Sequence, residues 1–245
     1  LVVSCVQRGS HRLIGEQLAD CLTDEQMLLL NPGSLGGALE IAALFRSRGR
    51  ACRWIAETGT LAHCARPVPG GVRTTLTVRH VFCAALPAAH TPAMLAALRP
   101  YYPYLVPAQS VLETGLYNGN PVLHPAIALL NAGALERNDG TFRFYGDGMT
   151  PAVARLIEAV DGERRRLAAA YGLKLIPEPT LSVMQGYAAH QDYLRCYRDS
   201  AVLAPLVAPH TLDHRYFHED VGEGLITWLA LAEVAGVRLP LVEAM

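Results

Sequence analysis

Three short, continuous apolar runs open the chain: residues 1–6 (Leu-Val-Val-Ser-Cys-Val), Met27 to Leu30, and Ala51 to Ala56, which ends at Glu57 and Thr58. Runs of this length, apolar at successive positions, predict strands buried on both faces of a sheet. Between them the spacing changes. Leu13, Ile14, Leu18 and Leu22 recur at helical intervals, as do Leu39, Ala42, Ala43 and Phe45 after Gly36 and Gly37. The turn Asn31-Pro32-Gly33 stops the second run, and Gly49 closes the second helix. Strand–helix–strand–helix–strand with short connections predicts βαβ units and a parallel sheet. Ligands of such sheets sit outside the carboxyl ends of the strands. That rule places Cys5–Val6, Asn31–Gly33 and Glu57–Thr58 along one edge.

Residues 72–86 alternate and predict two further strands, and Thr91 to Leu98 predicts a helix. The proline-rich aromatic segment 100–107 is a candidate boundary, giving an α/β part over 1–107 and a helical part over 108–245. In the second part His124-Pro125 suggests Pro125 in the first turn of a helix. Thr150-Pro151 is a cap followed by proline, and Gly172 stands where a helix stop belongs. A last helix is expected from about Glu219 to Ala235, with Val221, Leu225, Trp228, Leu229 and Ala232 on its apolar face. The fold class is therefore α/β plus all-α.

Composition narrows the function. With 51% hydrophobic and 18% charged residues, disorder is excluded. Twenty-one Lys and Arg against 22 Asp and Glu give a net charge of −1, with no basic stripe to attract nucleic acid. No apolar run approaches the ~20 residues of a membrane span. The six cysteines form no C-x-x-C pair and suit buried free thiols in a reducing, cytoplasmic setting.

Two places can carry chemistry. His124, held by the backbone before a proline, is a candidate general acid or base; the plain alternative is a histidine that merely caps a helix. Residues 213–220 gather Asp213, His214, Arg215, His218, Glu219 and Asp220. Asp220 favours a helix N-terminus, and Arg215 either grips a carboxylate in bidentate fashion or pairs with Glu219. No H-E-x-x-H or paired-cysteine pattern points to a metal. Gly33 to Gly37 is glycine-rich and opens a helix, so its amides suit an anion or simply a tight turn.

Several short motifs, in order along nearly the whole chain, resemble the opine dehydrogenases of the octopine/nopaline group. They are Leu30-Asn-Pro-Gly33 with Gly36-Gly37, Ala56-Glu-Thr58, and Asn118-x-Asn-x-x-x-His124-Pro-Ala126 with Leu130-Asn-Ala-Gly133. Phe144-Tyr-x-x-Gly-x-Thr150-Pro-x-Val-Ala154 and Leu212-Asp-His-Arg-Tyr216 with Glu219-Asp-Val221 complete the set. The resemblance implies a Rossmann domain for NAD or NADP, a helical domain akin to that of 6-phosphogluconate dehydrogenase, and an active site in the cleft between. It implies reductive condensation of an amino acid with an α-keto acid through an imine. Matched position by position, His124 is the catalytic histidine, Asp220 the acid that orients it, and Arg215 the holder of a substrate carboxylate. Glu57, Thr58 and Asn118 would face substrate; Val6, Asn31, Pro32 and Gly33 would lie near the cofactor, by the strand-edge argument.

The glycine-rich dinucleotide fingerprint of such domains does not occur in these 245 residues, and Leu1 begins within an apolar run. The expectation is a partial Rossmann-like domain, entered at about its fourth strand. Two other readings stay open: a 2-hydroxy-acid dehydrogenase of related architecture, and a non-catalytic chain or fragment unable to bind cofactor alone. The apolar aromatic segment Tyr101–Val106 is a candidate homodimer contact.

Overall fold

The computed structural model describes residues 1–245, which form two compact units. Unit 1 comprises residues 1–64 and 77–118, and unit 2 comprises residues 65–76 and 119–245.

In unit 1 the first apolar run supplies strand β1 (Val2–Ser4), followed by α1 (His11–Cys21). Strand β2 (Met27–Leu30), α2 (Gly37–Ser47) and β3 (Trp54–Thr58) complete the expected βαβαβ order. β1, β2 and β3 pair in parallel, with Ser4 beside Leu30 and Leu30 beside Glu57. The register aligns their carboxyl ends. Leu28 and Leu30 point to one face, where Ala19 of α1, Leu22 just after it, and Ala38, Ile41 and Phe45 of α2 close over them. Leu29 points the other way and is equally buried, which is why the run shows no alternation.

The sheet is not wholly parallel. The hairpin β4 (His63–Val68) and β5 (Gly71–Thr77) reverses the chain, so β6 (Val81–Leu86) pairs antiparallel with β3. After α3 (Thr91–Leu98), the short β7 (Leu105–Pro107) returns parallel to β6. The strand order is β1-β2-β3-β6-β7. Of the aromatic segment before it, Tyr101 and Tyr104 are exposed. Helix α4 (Val111–Leu116), capped by Ser110, packs on β3 and β6.

Unit 2 is built round α7 (Pro151–Ala170), the longest helix. Thr150 caps it by accepting from the Val153 amide, and the positive φ of Gly172 lies just beyond its end. Val153, Ile157, Val160 and Leu167 form its buried face. Against it pack α5 (Asn120–Leu130), α11 (Ile226–Ala235) and α12 (Pro240–Ala244). Shorter helices are α6 (Ala132–Glu136), α8 (Glu178–Gln185), α9 (Arg195–Arg198) and α10 (Arg215–His218). No helix is long and apolar enough to cross a membrane.

Candidate active site

His124 sits in the middle of α5 and is 5% exposed. The helix starts earlier than the His124-Pro125 pair suggests. Pro121 occupies its first turn, and Pro125 lies inside it. A proline there removes one N–H from the ladder, so the helix holds through packing rather than propensity. All residues from Pro121 to Ala128 are buried.

The single last helix expected from Glu219 is also corrected. Between α10 and α11 the backbone widens into a π-helical turn, Asp220–Leu225. The amides of Glu223 and Gly224 both donate to the Glu219 carbonyl, at 3.0 and 2.9 Å. A Cβ on Gly224 would lie 2.7 Å from Cγ of Pro121, so only glycine lets this turn settle against the start of α5. The result is a contact invisible in sequence. Asp220 is 1% exposed, and its Oδ2 lies 2.6 Å from His124 Nδ1. A carboxylate can only accept, so Nδ1 carries the proton and Nε2 is left as the acceptor nitrogen.

Nε2 is met by a residue that no sequence signal singled out: the Tyr145 hydroxyl, 2.7 Å away. Tyr145 lies within the Phe144-Tyr-x-x-Gly motif, but nothing in its spacing marks a role. Burial, reinforced by the nearby Tyr216, Asp220 and Glu178, pushes its phenol well above the ordinary value. The Tyr216 ring lies over the imidazole at 4.0 Å between centroids, and Phe144 meets it edge-on at 5.8 Å. The imidazole is thus fixed at both nitrogens and on its face.

Arg215 opens α10, next to Tyr216. Its Nε donates to Glu219 Oε2 at 3.1 Å. Burial works against its charge, but Glu219 and Asp220 outweigh this and hold the guanidinium above its ordinary value. No group of three or more His, Cys, Asp or Glu side chains is arranged as metal ligands.

Unit 1 brings the other candidates to one rim. The Asn31 amide donates to the Ser4 carbonyl at 2.9 Å, and the Thr58 hydroxyl approaches Asn31 Oδ1 at 3.2 Å. The Gly33 amide donates to the Thr58 carbonyl at 3.1 Å. Val6 follows β1 at the same edge, half-buried, as is Pro32. Asn118, the last residue of unit 1, is buried after α4. The polar stretch after β1 has a use: Arg8 donates to the Leu35 carbonyl at 3.1 Å and pairs with Glu40, tying it to α2.

The glycine-rich turn before α2 does receive a carboxyl group, and it is the chain's own. Ser34, Leu35 and Gly36 all have positive φ, and the turn directs the Ala38 amide at Glu57 Oε2, 2.9 Å away. The Gly37 amide is taken by the Gly33 carbonyl. Gly33 lies flush against the Glu57 side chain, where a Cβ would collide. Glu57 is fully buried, and its Oε1 is 2.9 Å from the Thr114 hydroxyl, which also reaches the Val111 carbonyl at 2.9 Å.

Burial pushes the Glu57 carboxyl up to about 7, against the pull of the Ala38 amide, the Thr114 hydroxyl and Arg8. The folded state therefore binds the proton more tightly than the unfolded chain. The resulting stability is full below pH 4.5 and is lost as pH rises to about 7. Such a shift corresponds to about 3 kcal/mol. Glu57→Gln keeps both hydrogen bonds, so it is expected to flatten this part of the stability–pH curve. Urea denaturation between pH 5 and 8 checks it; an unchanged slope refutes it. Glu178, also pushed up to about 7 by burial, leaves a residual slope of the same sign.

Residues 107–245 match the family model described as NAD/NADP octopine/nopaline dehydrogenase, alpha-helical domain. The chain belongs to the octopine/nopaline dehydrogenase family. Its resemblance to an opine dehydrogenase from Arthrobacter sp. (strain 1C) is 33% identity over 237 residues, covering 96% of this chain and 65% of that one. Among solved structures it is similar to octopine dehydrogenase with NADH and L-arginine, at a TM-score of 0.80 and 19% identity. That match covers 99% of this chain and 66% of the other. A yersinopine dehydrogenase with bound NADP+ matches at a TM-score of 0.78 and 16% identity, over 99% and 68% of the two chains. At such identities these structures carry the opine dehydrogenase fold, a Rossmann-like sheet followed by helices. The chain spans about two thirds of the length of the Arthrobacter relative.

Proposed function

We propose that the protein acts as an NAD(P)H-dependent opine dehydrogenase, condensing the amino group of an amino acid with an α-keto acid and reducing the imine to a secondary amine dicarboxylate. The observation that carries this reading is the buried His124, held on Asp220 through Nδ1, in a chain of this family. Imine formation needs a group that takes a proton from the amine and returns one to the departing oxygen. An imidazole with a fixed tautomer and a carboxylate to stabilise its charged form does both near neutral pH. Arg215, a permanent cation next in the chain to Tyr216, whose ring covers His124, would hold the keto-acid carboxylate and so orient its carbonyl. Thr58 and Asn118 would add polar contacts to substrate, while Glu57 supports them from within by fixing α2 and Thr114.

Val6, Asn31, Pro32 and Gly33 would hold the nicotinamide end of NAD or NADP, because they line the carboxyl edge of adjacent parallel strands. When bound, NAD(P)H supplies the hydride for the reduction. The first-turn amides of α2 at Gly37 and Ala38 are already bonded within the chain, so a pyrophosphate would be held by other groups.

The test is loss of NAD(P)H absorbance with pyruvate, with and without L-arginine; these are the first probes because arginine accompanies NADH in the octopine dehydrogenase structure. Oxidation that requires both compounds together, extended to a panel of amino and keto acids, is the expected result. Oxidation with a keto acid alone would replace this reading with that of a hydroxy-acid dehydrogenase.

A further inference from the structure

The nitrogen that must exchange the proton is not open. His124 Nε2 has one lone pair, in the ring plane, and the Tyr145 hydroxyl occupies it at 2.7 Å. Turning the imidazole over is no escape, because that would take Nδ1 from Asp220, 2.6 Å away on the other side. Nor is Tyr145 free to swing aside. It is 4% exposed, with Phe144 set edge-on at 5.1 Å and 89° and Tyr197 at 6.5 Å between ring centroids. Moving it would open the packed interior beside the buried His124–Asp220 hydrogen bond.

The hydroxyl itself offers the alternative. A phenol oxygen accepts and donates at once. Here His124 Nε2 is its one hydrogen-bond partner. While the imidazole is neutral, the phenol proton is spent on Nε2. Once Nε2 carries a proton, Nε2–H donates to the phenol oxygen, and the phenol proton is left in a buried site without an acceptor. A substrate oxygen placed there completes the chain. Resting on the proposed reaction, we infer that Tyr145 is a catalytic residue: its hydroxyl, and not the imidazole directly, delivers the proton to the substrate oxygen.

The step balances as follows. In the carbinolamine, the nitrogen lone pair forms the C=N bond as the C–O bond breaks. The departing oxygen takes the Tyr145 proton and leaves as water. Tyr145 takes the Nε2 proton of the imidazolium. His124 ends neutral, and the positive charge ends on the iminium. The phenol stays protonated before and after, in keeping with its strongly raised pKa. Asp220 holds the Nδ1 proton throughout.

Tyr145→Phe keeps the ring and removes only the hydroxyl. The relay predicts a fall in kcat of about 100-fold or more with KM for the keto acid changed little. Direct exchange by His124 predicts the reverse, since the variant uncovers Nε2 and turnover is kept or rises; that result overturns the relay. In the wild-type enzyme two protons move together, so the rate should curve with the deuterium fraction of the solvent. A linear dependence also overturns it. A readout without turnover separates this inference from the reaction it rests on. In 15N-histidine spectra of the resting protein, Nε2 of His124 should be a hydrogen-bonded acceptor whose shift moves in Tyr145→Phe. An Nε2–H tautomer, or no change in the variant, rules out the relay even if the reaction itself proves different.

Discussion

His124→Gln should lower turnover by about 10²–10⁴-fold while leaving the fold in place. The choice of glutamine matters. Its amide N–H can serve Asp220 and its carbonyl can accept from Tyr145, so neither buried neighbour is left alone. What it cannot do is gain or lose a proton near neutral pH. Histidine to alanine would confuse the two effects, because it would leave the Asp220 carboxylate buried and unpaired. The measurement is steady-state turnover with both substrates beside circular dichroism and a denaturation curve. Retained turnover with intact structure would remove the assigned role. Asp220→Asn gives a second, independent view. An amide N–H facing Nδ1 favours the opposite tautomer and withdraws the stabilising charge, so a loss of the same order is expected without loss of fold.

The largest effect on stability is expected in a buried network that takes no part in this chemistry. Arg164 is fully buried within α7, with its guanidinium on Asp161 at 2.7–2.8 Å and on the Ile176 carbonyl at 2.9 Å. Asp161 is equally buried and receives Tyr193 at 2.7 Å and the Glu178 amide at 3.3 Å. Taking away Arg164 leaves Asp161 with only the partly exposed Arg165, at 3.3 Å, as a cationic partner in low dielectric, which costs about 3 kcal/mol. Arg164→Met is therefore expected to destabilise by that amount in urea denaturation, and Arg164→Lys to restore only part, because one ammonium cannot span both acceptors in the geometry of a guanidinium fork. A change within about 0.5 kcal/mol for Arg164→Met would show that the network contributes little.

The readable parts of the fold were those where burial leaves a pattern. Strands covered on both faces appear as unbroken apolar runs, so β1, β2 and β3 and their common edge followed from Leu28 to Leu30 and its neighbours. Thr150-Pro151 and Gly172 marked α7 because capping chemistry is local. The antiparallel β3–β6 step left no such trace, since it depends on where a hairpin sends the chain. His124 and Asp220 were candidates from their own surroundings, but their pairing came only through family resemblance; their meeting rests on Gly224 admitting Pro121 and on a widened turn. Tyr145 had no periodicity to betray it, lying between helices. Arg164 stands in a run of charges, Glu163 to Arg166, that reads as a solvated face although its second residue is wholly inside. Glu57 looked like a rim residue and turned out to cap a neighbouring helix from within.

The π-helical turn at Asp220–Leu225 holds one residue more than a regular helix would need to cover the same rise. Deleting any one of its residues would let the segment relax into ordinary α-helix, with every hydrogen bond made. It would also rotate what precedes it by about 100° relative to α11, carrying the carboxylate off its imidazole. This stretch should tolerate exchange of side chains at its outer face far better than any alteration in its length.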